Sequence, residues 1–445
     1  MDHDAYFKGK RITLMGLGLL GRGVGDAKFL AEMGAELIVT DLKQEAELSE
    51  SWEQLKDFPN ITFHFGGHHL EDFEGRDLIL KAAGVPLNSP YITEAKKNHI
   101  PVRMSADLFA ELSGIPIVGI TGTRGKSTTT HMIAHILEQA GKKVLVGGNV
   151  RGVSTLSLLP QVTPDAIGVL ELDSWQLQGF GDAKLSPNVA VFTTFLPDHM
   201  NYYGGDMKKY FADKANIFLN QNESDALIVG EQVAPFLKEY GYQSKLKAHV
   251  EIGWAKDIPK GLVLKVPGEH NRYNAGLAAD AARALGIDDD IINAALKTFP
   301  GVPGRLEFLK EVNGVKVYND NNATTPDATI AALQAFGDAK NIVLITGGSD
   351  KGLDMDPLLE EIAKHCKKVI LLAGTGTDRI KEHFVHSLVY ASMADAASAA
   401  FEAAEVGDII LLSPAFASFG TFKNEYDRND QFVAAVNTHI PYQST

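Results

Sequence analysis

The chain of 445 residues has a single cysteine, Cys366, and contains no long apolar run. One cysteine excludes an internal disulfide and any metal site built from several thiolates. No segment approaches the ~18 consecutive apolar residues of a membrane span. The first residues, MDHDAYFKGKRITLMG, carry charges where a signal peptide has its apolar core. These absences predict a cytoplasmic protein that does not associate with a membrane.

Positive charge is also scarce, since 42 Lys and Arg face 56 Asp and Glu and give a formal charge of −14. This balance argues against a nucleic-acid partner, although a local basic pocket for phosphates is compatible with it. Hydrophobic residues make up 45% and charged residues 22% of the chain, which excludes collagen-like, coiled-coil and wholly disordered proteins. At about 150 residues per domain, the length predicts two or three domains.

Short apolar runs that end in glycine-rich turns recur along the chain. Each run has five or six apolar residues, which is typical of a strand covered on both faces. Helical patterns lie between the runs, so the sequence predicts an α/β fold with mostly parallel, doubly wound sheets. The runs begin at Arg11, Pro116, Asn341, Val369 and Asp408.

Two stretches interrupt these patterns and suggest domain boundaries. Residues 113–116 precede a new strand–loop–helix pattern, and PGVPG at 300–304 has the composition of a linker. We therefore expect three αβ domains, spanning residues 1–113, 114–300 and 301–445. The linker at 300–304 is the candidate hinge for a closure between domains.

The strongest motif is GITGTRGKST, residues 119–128, which follows a predicted strand and opens a predicted helix. Backbone N–H groups freed by Gly122 and Gly125 can face an anion, and the helix N-terminus adds partial positive charge. Lys126 would reach the β- and γ-phosphates, and the hydroxyl of Ser127 would bind Mg²⁺. The motif is one residue longer than the usual phosphate-binding loop. Its context nevertheless favours a nucleoside-triphosphate site over a glycine turn with a solvated lysine.

Two further polar groups stand at the ends of neighbouring predicted strands. Glu171 ends the strand that begins at Ala166, and Asp198 and His199 follow the strand that begins at Val189. Ligands of open parallel sheets bind beyond the carboxyl ends of the strands. Taken singly, Glu171 suits an exposed loop acid and His199 a capping or core residue. Together with the phosphate loop, they predict a site for a hard cation.

Lys214 lies on the apolar side of a helix predicted over residues 206–219. It follows Phe211 by three residues and precedes Phe218 by four, so the three side chains share one face. Long side chains usually carry their charge past such apolar neighbours into water. Spacing alone therefore favours a structural role for this lysine.

The amino-terminal part contains Gly16, Gly18 and Gly21 in a G-x-G-x-x-G pattern after a strand, with Asp41 at the end of the next strand. This is nearly the complete dinucleotide fingerprint, so a nicotinamide-dependent dehydrogenase is a serious alternative. A UDP-sugar also presents a diphosphate to such a turn. The later phosphate loop is unexpected in a dehydrogenase and natural in a ligase with two nucleotide-bearing substrates.

Several longer motifs occur in the order found in the Mur ligases, and the chain resembles this family over nearly its whole length. The motifs are GITGTRGKSTTT, LELDSWQL, DHMNYY, EHNRYNAGLA, PGRLE and YNDNNATTP. The glycine motif, KAAGVP at 81–86 and SPAFAS-x3-FKN at 413–424 favour the member that joins D-glutamate to UDP-N-acetylmuramoyl-L-alanine. The resemblance implies amide-bond formation through an acyl phosphate during peptidoglycan precursor synthesis. It also implies a cytoplasmic monomer that uses ATP and Mg²⁺.

The resemblance assigns roles to individual positions, beginning with nucleotide and metal. Lys126, His199 and Lys214 would be the catalytic residues, and Lys214 matches a lysine that the family carbamoylates. The ATP-binding residues would be Gly122, Thr123, Gly125, Lys126, Ser127, Thr128, Asn271, Arg305 and Asp320. The Mg²⁺ ligands would be Ser127, Glu171, His199 and the carbamoylated Lys214.

The resemblance also implies positions for the other two substrates. The incoming glutamate would be held by Thr324, Lys351 and Ser418. The sugar nucleotide would be held by Gly18, Leu19, Leu20, Gly21, Asp41, Gly84 and Asn149.

Three positions depart from the family pattern, namely Asn322, Gly420 and Glu425. The family commonly has lysine at the first, an acid at the second and phenylalanine at the third. A carboxylate beside a pocket for an anionic amino acid is repulsive unless it points away. A Mur-type or folate-type ligase for another amino acid, and a catalytically silent binding protein, therefore stay open as alternatives.

Overall fold

The computed structural model describes residues 3–19, 21–384 and 387–438. The chain forms three αβ domains, each with its own sheet. These domains make two compact units. One unit comprises the residues up to Lys260 together with Asn274–Leu296, and the other comprises Gly261–Tyr273 with the residues from Lys297 onward.

The amino-terminal domain is built on five parallel strands. They are β1 (Arg11–Met15), β2 (Glu36–Asp41), β3 (Ile61–Phe65), β4 (Leu78–Lys81) and β5 (Val102–Arg103). The helices are α1 (His3–Phe7), α2 (Arg22–Glu32), α3 (Ser49–Trp52), α4 (Pro90–Lys97) and α5 (Ser105–Ser113). The strand order β3-β2-β1-β4-β5 places β1 at the centre. The glycine-rich turn therefore leaves the sheet at its middle strand.

The central domain has six parallel strands. They are β6 (Ile117–Thr121), β7 (Lys143–Gly148), β8 (Ala166–Glu171), β9 (Val189–Phe192), β10 (Ala226–Gly230) and β11 (His249–Gly253). Its helices are α6 (Lys126–Gln139), α7 (Ser174–Asp182), α8 (Met200–Tyr203), α9 (Met207–Ala215), α10 (Ala234–Glu239) and α12 (Asp289–Thr298), and α11 (Glu269–Ala284) runs through both compact units. The order β11-β10-β9-β6-β8-β7 sets β6 between β9 and β8. The strand order reverses at β6, and we term the space beyond the strand ends at this point, where sheets of this kind bind their ligands, the crevice.

The carboxyl-terminal domain has a mixed sheet. Its strands are β12 (Glu307–Val312), β13 (Val315–Asn319), β14 (Ile342–Gly347), β15 (Cys366–Leu372), β16 (Val389–Tyr390) and β17 (Ile409–Leu412). Its helices are α13 (Pro326–Gln334), α14 (Asp356–His365), α15 (Thr377–Ile380), α16 (Met393–Ala403) and α17 (Glu425–Thr438). Strand β12 pairs antiparallel with β13, and the other pairs of the order β12-β13-β17-β14-β15-β16 are parallel.

Short 3-10 helices complete the described secondary structure. They span Glu45–Glu47, Leu70–Phe73, Leu156–Gln161, Gln243–Lys245, Ala255–Asp257 and Lys381–Phe384. Within the described part of the chain, no helix is both long enough and apolar enough to cross a membrane.

The predicted α/β class with mostly parallel sheets is confirmed, and the five predicted apolar runs form β1, β6, β14, β15 and β17. The helix predicted over residues 206–219 is shorter, because α9 ends at Ala215. The carbonyl of Asn216 accepts a hydrogen bond from Ser186 Oγ at 2.8 Å, and turns follow it. The domain boundaries at 113 and 300 stay a prediction, although each sheet lies within one of the three predicted segments.

Candidate active site

The loop between β6 and α6 packs so tightly that two of its positions require glycine. Gly122 has φ 147°, and a Cβ there would lie 2.0 Å from Thr193 Oγ1. Gly125 caps α6 with φ 85°, and a Cβ there would lie 2.5 Å from Asn274 Oδ1. The bare backbone therefore follows the floor of the crevice into the positive end of α6, as an anion-binding loop requires.

The extra residue in this motif has a structural explanation. Gly119 lies inside β6, where a Cβ would meet the Cγ of Pro187 at 2.3 Å. It is a packing glycine of the strand, so the loop proper begins at Gly122.

Hydrogen bonds from the segment after β9 fix the shape of the loop. The backbone N–H of Thr123 donates to the carbonyl of Thr194 at 2.7 Å, and that of Arg124 donates to Thr194 Oγ1 at 2.8 Å. Thr193 Oγ1 donates to the carbonyl of Arg124 at 2.5 Å. The loop is thus held in one conformation by the protein itself, which lowers the entropic cost of binding a phosphate chain.

Two lysines converge on one carbonyl of this loop. Lys126 Nζ and Lys214 Nζ each lie 2.9 Å from the carbonyl oxygen of Gly122, and Lys214 Nζ lies 3.4 Å from Thr121 Oγ1. Lys214 is 1% exposed, so its ammonium does not extend into water as the spacing suggested. Burial, reinforced by the charge of Lys126, lowers the pKa of Lys214 well below its ordinary value.

Glu171 is a buried residue at the edge of the same crevice. It is the last residue of β8 and is 4% exposed, so it is not an exposed loop acid. Asn149 holds it twice, since Asn149 Nδ2 donates to Glu171 Oε1 at 3.3 Å and the backbone N–H of Asn149 donates to the Glu171 carbonyl at 2.7 Å. A carboxylate held on one oxygen at a strand end is suited to present its other oxygen to a cation.

His199 occupies the capping position before α8, with φ 53°. Its ring centroid lies 4.8 Å from that of Trp175, at the start of α7. The neighbouring Asp198 has Oδ2 3.5 Å from Arg124 Nη1, so this segment contacts the phosphate loop. The imidazole is exposed and is therefore accessible to a ligand.

The side chains of this crevice can bind Mg²⁺ only together with the phosphate oxygens of a bound nucleotide. Among the residues that the structure describes, no three or more His, Cys, Asp or Glu side chains form a group that could hold a metal. Mg²⁺ usually takes one or two carboxylates, and phosphate oxygens and waters complete its shell. The carboxylate of Glu171, the hydroxyl of Ser127 at the start of α6 and the imidazole of His199 suit that partial role.

A second pocket opens at the glycine-rich turn of the amino-terminal domain. The backbone N–H of Gly18 donates to Asp41 Oδ2 at 3.0 Å, which ties the turn to the end of β2. A cavity of about 210 Å³ beside the turn brings together residues from both domains of this compact unit. Its lining includes Gly16, Gly18, Leu19, Arg22, Lys81, Gly84, Gly148 and Gln176. The predicted substrate residue Leu20 lies outside the described residues.

Two buried charged residues beside this pocket, Lys81 and Asp26, were given no role in the sequence analysis. Lys81 Nζ donates to the carbonyl of Val85 at 3.0 Å, and burial lowers the pKa of Lys81 to about 8. Asp26 Oδ1 accepts from Ser105 Oγ at 2.7 Å and from Ser154 Oγ at 2.5 Å, and burial raises the pKa of Asp26 to about 6. The sequence could have indicated the burial of Asp26, because this acid lies between Gly and Ala among the apolar residues that α2 buries.

The carboxyl-terminal unit brings together the residues predicted for the incoming amino acid. Lys351 Nζ donates to Thr324 Oγ1 at 3.0 Å. Ser418 is buried beyond the end of β17, and next to it the carbonyl of Phe419 accepts a hydrogen bond from Ser349 Oγ. The three predicted residues thus lie on loops that follow β13, β14 and β17, at the carboxyl ends of adjacent strands.

The predicted ATP residues Asn271, Arg305 and Asp320 also belong to this unit. Asp320 Oδ1 accepts from the backbone N–H of Leu306 at 3.0 Å and Oδ2 accepts from Ser413 Oγ at 2.9 Å. Burial raises the pKa of Asp320 to about 7, and the charge of Arg305 opposes this shift. Asn271 Nδ2 donates to the carbonyl of Pro267 at 2.7 Å. Their contacts with ATP stay a prediction.

The structure around the three positions that depart from the family pattern explains these departures in part. Gly420 has φ 91°, a conformation in which an acidic side chain would be strained. Glu425 begins α17, and its charge acts on the guanidinium of Arg428, which is fully buried and donates from Nε to Asn321 Oδ1 at 2.8 Å. Asn322 Nδ2 lies 3.5 Å from the carbonyl of Pro303. The repulsion that Glu425 would exert on an anionic amino acid stays a prediction.

Three family models match consecutive parts of the chain. Residues 10–104 match the Mur ligase MurD-like N-terminal domain, residues 120–258 the Mur ligase middle domain, and residues 304–416 the Mur ligase glutamate ligase domain. The matched segments contain the glycine-rich turn, the phosphate loop and the Thr324–Lys351 pair, in that order.

Solved structures share the fold. A UDP-N-acetylmuramate-alanine ligase MurC from Thermotoga maritima matches with a TM-score of 0.61 at 20% identity, covering 97% of this chain and 100% of that one. A pseudomurein peptide ligase type C from Methanothermus fervidus matches with a TM-score of 0.54 at 18% identity, covering 96% and 100%.

Curated relatives match at higher identity. A UDP-N-acetylmuramoylalanine--D-glutamate ligase from Roseiflexus sp. (strain RS-1) is 36% identical over 97% of this chain and 99% of its own length. The ligase of the same name from Borreliella afzelii (strain PKo) is 34% identical over 97% and 98%. The chain therefore belongs to the Mur ligase family, in the group of the UDP-N-acetylmuramoylalanine--D-glutamate ligases.

Proposed function

We propose that this protein joins D-glutamate to UDP-N-acetylmuramoyl-L-alanine at the expense of ATP, a step in peptidoglycan precursor synthesis. The near-complete match to relatives of that name supports the proposal. The structural observation that carries the proposal is that Lys126 and Lys214 both donate to the Gly122 carbonyl. This carbonyl belongs to a preformed loop beside the buried Glu171. A monomer in the cytoplasm, with only small-molecule partners, is part of the same proposal.

The reaction has two steps. The γ-phosphoryl group of ATP moves to the free carboxylate of the muramoyl-alanine substrate, which gives an acyl phosphate and ADP. The amine of D-glutamate then attacks the acyl carbon, and the tetrahedral intermediate expels phosphate and leaves an amide. Phosphoryl transfer depends on positioning and charge neutralisation more than on covalent work by the protein. The second step needs an acyl phosphate protected from water.

The central domain supplies the charge neutralisation. Two anions, ATP and a carboxylate, must approach each other, and Lys126 with the amino end of α6 offsets their repulsion. Bound Mg²⁺ would neutralise phosphate charge, held by Ser127, Glu171 and His199. Donors of this kind typically contribute about 3 kcal/mol each at the transition state.

We propose in addition that Lys214 carries a carbamate. The neutral amine attacks CO₂, a C–N bond forms, and one proton leaves to solvent. Burial and the neighbouring Lys126 favour the neutral amine that this reaction needs. The carbamate keeps one N–H, which can still donate to the Gly122 carbonyl, and its negative charge would face Lys126 instead of repelling it. The modification thus replaces two like charges at one carbonyl by a pair of opposite charges.

The remaining substrates are assigned to the other two domains. The glycine-rich turn, with Gly18 bonded to Asp41, would hold the uridine diphosphate end. The ammonium of Lys351 and the hydroxyl of Thr324, 3.0 Å apart, would bind a carboxylate of glutamate. Ser418 lies on the adjoining loop.

The decisive experiment follows ADP release with UDP-N-acetylmuramoyl-L-alanine, ATP and Mg²⁺ while the amino acid is varied. D-Glutamate alone among the amino acids supports turnover if the proposal holds. Turnover with a different amino acid would indicate a Mur-type or folate-type ligase of other specificity. Binding of the substrates without turnover would indicate a silent binding protein. Reduction of a nicotinamide cofactor, followed by its absorbance, would indicate a dehydrogenase.

A further inference from the structure

Arg22 is connected to the carboxylate of Glu171 through a single side-chain amide. Arg22 Nη1 donates to Asn149 Oδ1 at 2.7 Å, and Asn149 Nδ2 donates to Glu171 Oε1 at 3.3 Å. The three residues come from three elements, since Arg22 begins α2, Asn149 follows β7 and Glu171 ends β8. A continuous chain of hydrogen bonds therefore joins the amino-terminal domain to the phosphate crevice of the central domain.

The guanidinium decides which end of the amide meets the carboxylate. A guanidinium can only donate, so its partner on Asn149 is the amide oxygen. The NH₂ group then faces Glu171, which can only accept when ionised. In the flipped orientation the amide oxygen would face the carboxylate and the NH₂ group would face Arg22, and both contacts would be repulsive. Arg22 thereby holds the amide, and the amide holds one oxygen of Glu171 in place.

Arg22 also lines the cavity at the glycine-rich turn, together with Gly18 and Lys81. It is the first residue of a helix of 11 residues that begins directly after this turn. A guanidinium has five N–H donors arranged to fit phosphate oxygens in pairs. One Nη group bonds Asn149, and the planar fork allows the same guanidinium to contact a diphosphate bound at the turn.

We propose that Arg22 is a positioning residue that couples occupancy of the sugar-nucleotide pocket to the orientation of Glu171. This inference rests on the proposed function. A diphosphate at the turn fixes the guanidinium, the guanidinium fixes the Asn149 amide, and the amide fixes the carboxylate. The sugar nucleotide and the magnesium nucleotide then each bind more tightly when the other is present, by the same factor.

The experiment measures this factor by calorimetry on the full chain. The Kd of UDP-N-acetylmuramoyl-L-alanine is determined alone and with Mg²⁺ plus a non-hydrolysable ATP analogue. In the unsubstituted protein, the magnesium nucleotide tightens sugar-nucleotide binding about tenfold. In Arg22→Met, the Kd of the sugar nucleotide measured alone rises about tenfold, as expected for a lost charge-assisted bond. The magnesium nucleotide then no longer lowers this Kd. Arg22→Lys keeps the charge without the planar fork, so it recovers affinity but not the tightening.

Two further variants separate coupling from simple contact or structural damage. Asn149→Ala keeps Arg22 and its bond to the diphosphate but abolishes the effect of the magnesium nucleotide on the Kd of the sugar nucleotide, because it breaks the chain between Arg22 and Glu171. Lys28→Met removes a cation from the exposed side of the same helix and leaves both Kd values unchanged. The midpoint of thermal unfolding is recorded for every variant.

The outcomes that overturn the inference are distinct from failure of the proposed function. The coupling is refuted if the magnesium nucleotide still lowers the Kd of the sugar nucleotide about tenfold in Arg22→Met or in Asn149→Ala. A lower unfolding temperature with both Kd values unchanged assigns Arg22 a structural role only. If the unsubstituted protein binds no UDP-N-acetylmuramoyl-L-alanine at all, the proposed function itself is wrong.

Discussion

The ammonium of Lys214 lies 2.9 Å from the carbonyl oxygen of Gly122, in a position where 1% of the residue is exposed to solvent. Lys126 Nζ donates to the same oxygen, also at 2.9 Å. Two ammonium groups at one carbonyl repel each other, and the buried one has no water to screen its charge. The protonation or modification of Lys214 therefore determines the charge of the whole phosphate site.

We expect Lys214→Ala to lose ligase activity by at least about a hundredfold, because the carbamate that would face Lys126 cannot form. Small carboxylates added to the buffer restore part of the activity by occupying the vacated space. Lys214→Arg is the matched control, since it keeps a cation, cannot be carbamoylated and leaves no space, so it stays inactive with or without the additive. ADP release measures each case. Full activity of Lys214→Ala without any additive would show that no carbamate is needed.

Lys126→Ala is expected to reduce kcat about a hundredfold to a thousandfold, because the transferring phosphoryl group loses its nearest fixed cation. The Kd of UDP-N-acetylmuramoyl-L-alanine measured without nucleotide stays the same, since that pocket lies at the glycine-rich turn. Lys142→Ala removes an exposed lysine just beyond the far end of α6 and serves as the control. Phosphate release at normal rates in Lys126→Ala would contradict the role of the loop.

Gly122→Ala is expected to destabilise the fold by about 2 to 4 kcal/mol, because a Cβ would lie 2.0 Å from Thr193 Oγ1. Gly141→Ala separates this clash from backbone strain. Gly141 has φ 75° but nothing within 4 Å of a Cβ, so its substitution costs only about 1 to 2 kcal/mol. Urea denaturation of both variants gives the comparison. Equal losses would mean that conformation, and not packing, requires glycine at position 122.

The features predicted from the sequence are those that a short stretch encodes. The phosphate loop, the strand ends at Glu171 and Asp41, and the alternation of strands and helices each follow from residues close together in the chain. The contacts that were missed join distant residues, since Arg22 and Asn149 are 127 positions apart, and Asp26 and Ser154 are 128 apart. No local pattern specifies which helix start packs against which strand end.

The local patterns also did not predict which of these side chains are buried. Taken singly, Glu171 suited an exposed loop acid and Lys214 a side chain that extends into water, yet both are buried. Gly119 was counted with the loop because the motif was read by spacing. Its close approach to Pro187, which fixes it as part of the strand, is a tertiary contact.

Asp26 makes the stability of the fold depend on pH. Burial raises the pKa of its carboxyl from 3.8 to about 6 in the folded protein. The folded state therefore binds this proton more tightly than the unfolded chain, and the free energy of unfolding falls as the pH rises from about 4 to about 6. Above that window the buried carboxylate costs about 3 kcal/mol. Asp26→Asn keeps one oxygen that can accept from Ser105 and Ser154 but cannot ionise. We expect the variant to be more stable than the unsubstituted protein by about 2 to 3 kcal/mol at pH 7.5 and equally stable near pH 4.

Urea denaturation at pH 4, 5, 6 and 7.5 measures this difference, with Asp57→Asn on the exposed surface as the control that shows no such trend. A gain in stability that is independent of pH would mean that the substitution acts through packing. A variant less stable than the unsubstituted protein at pH 7.5 would mean that the ionised carboxylate is stabilised where it lies, because its bonds to Ser105 and Ser154 and the charge of Arg22 then outweigh the cost of removing it from water.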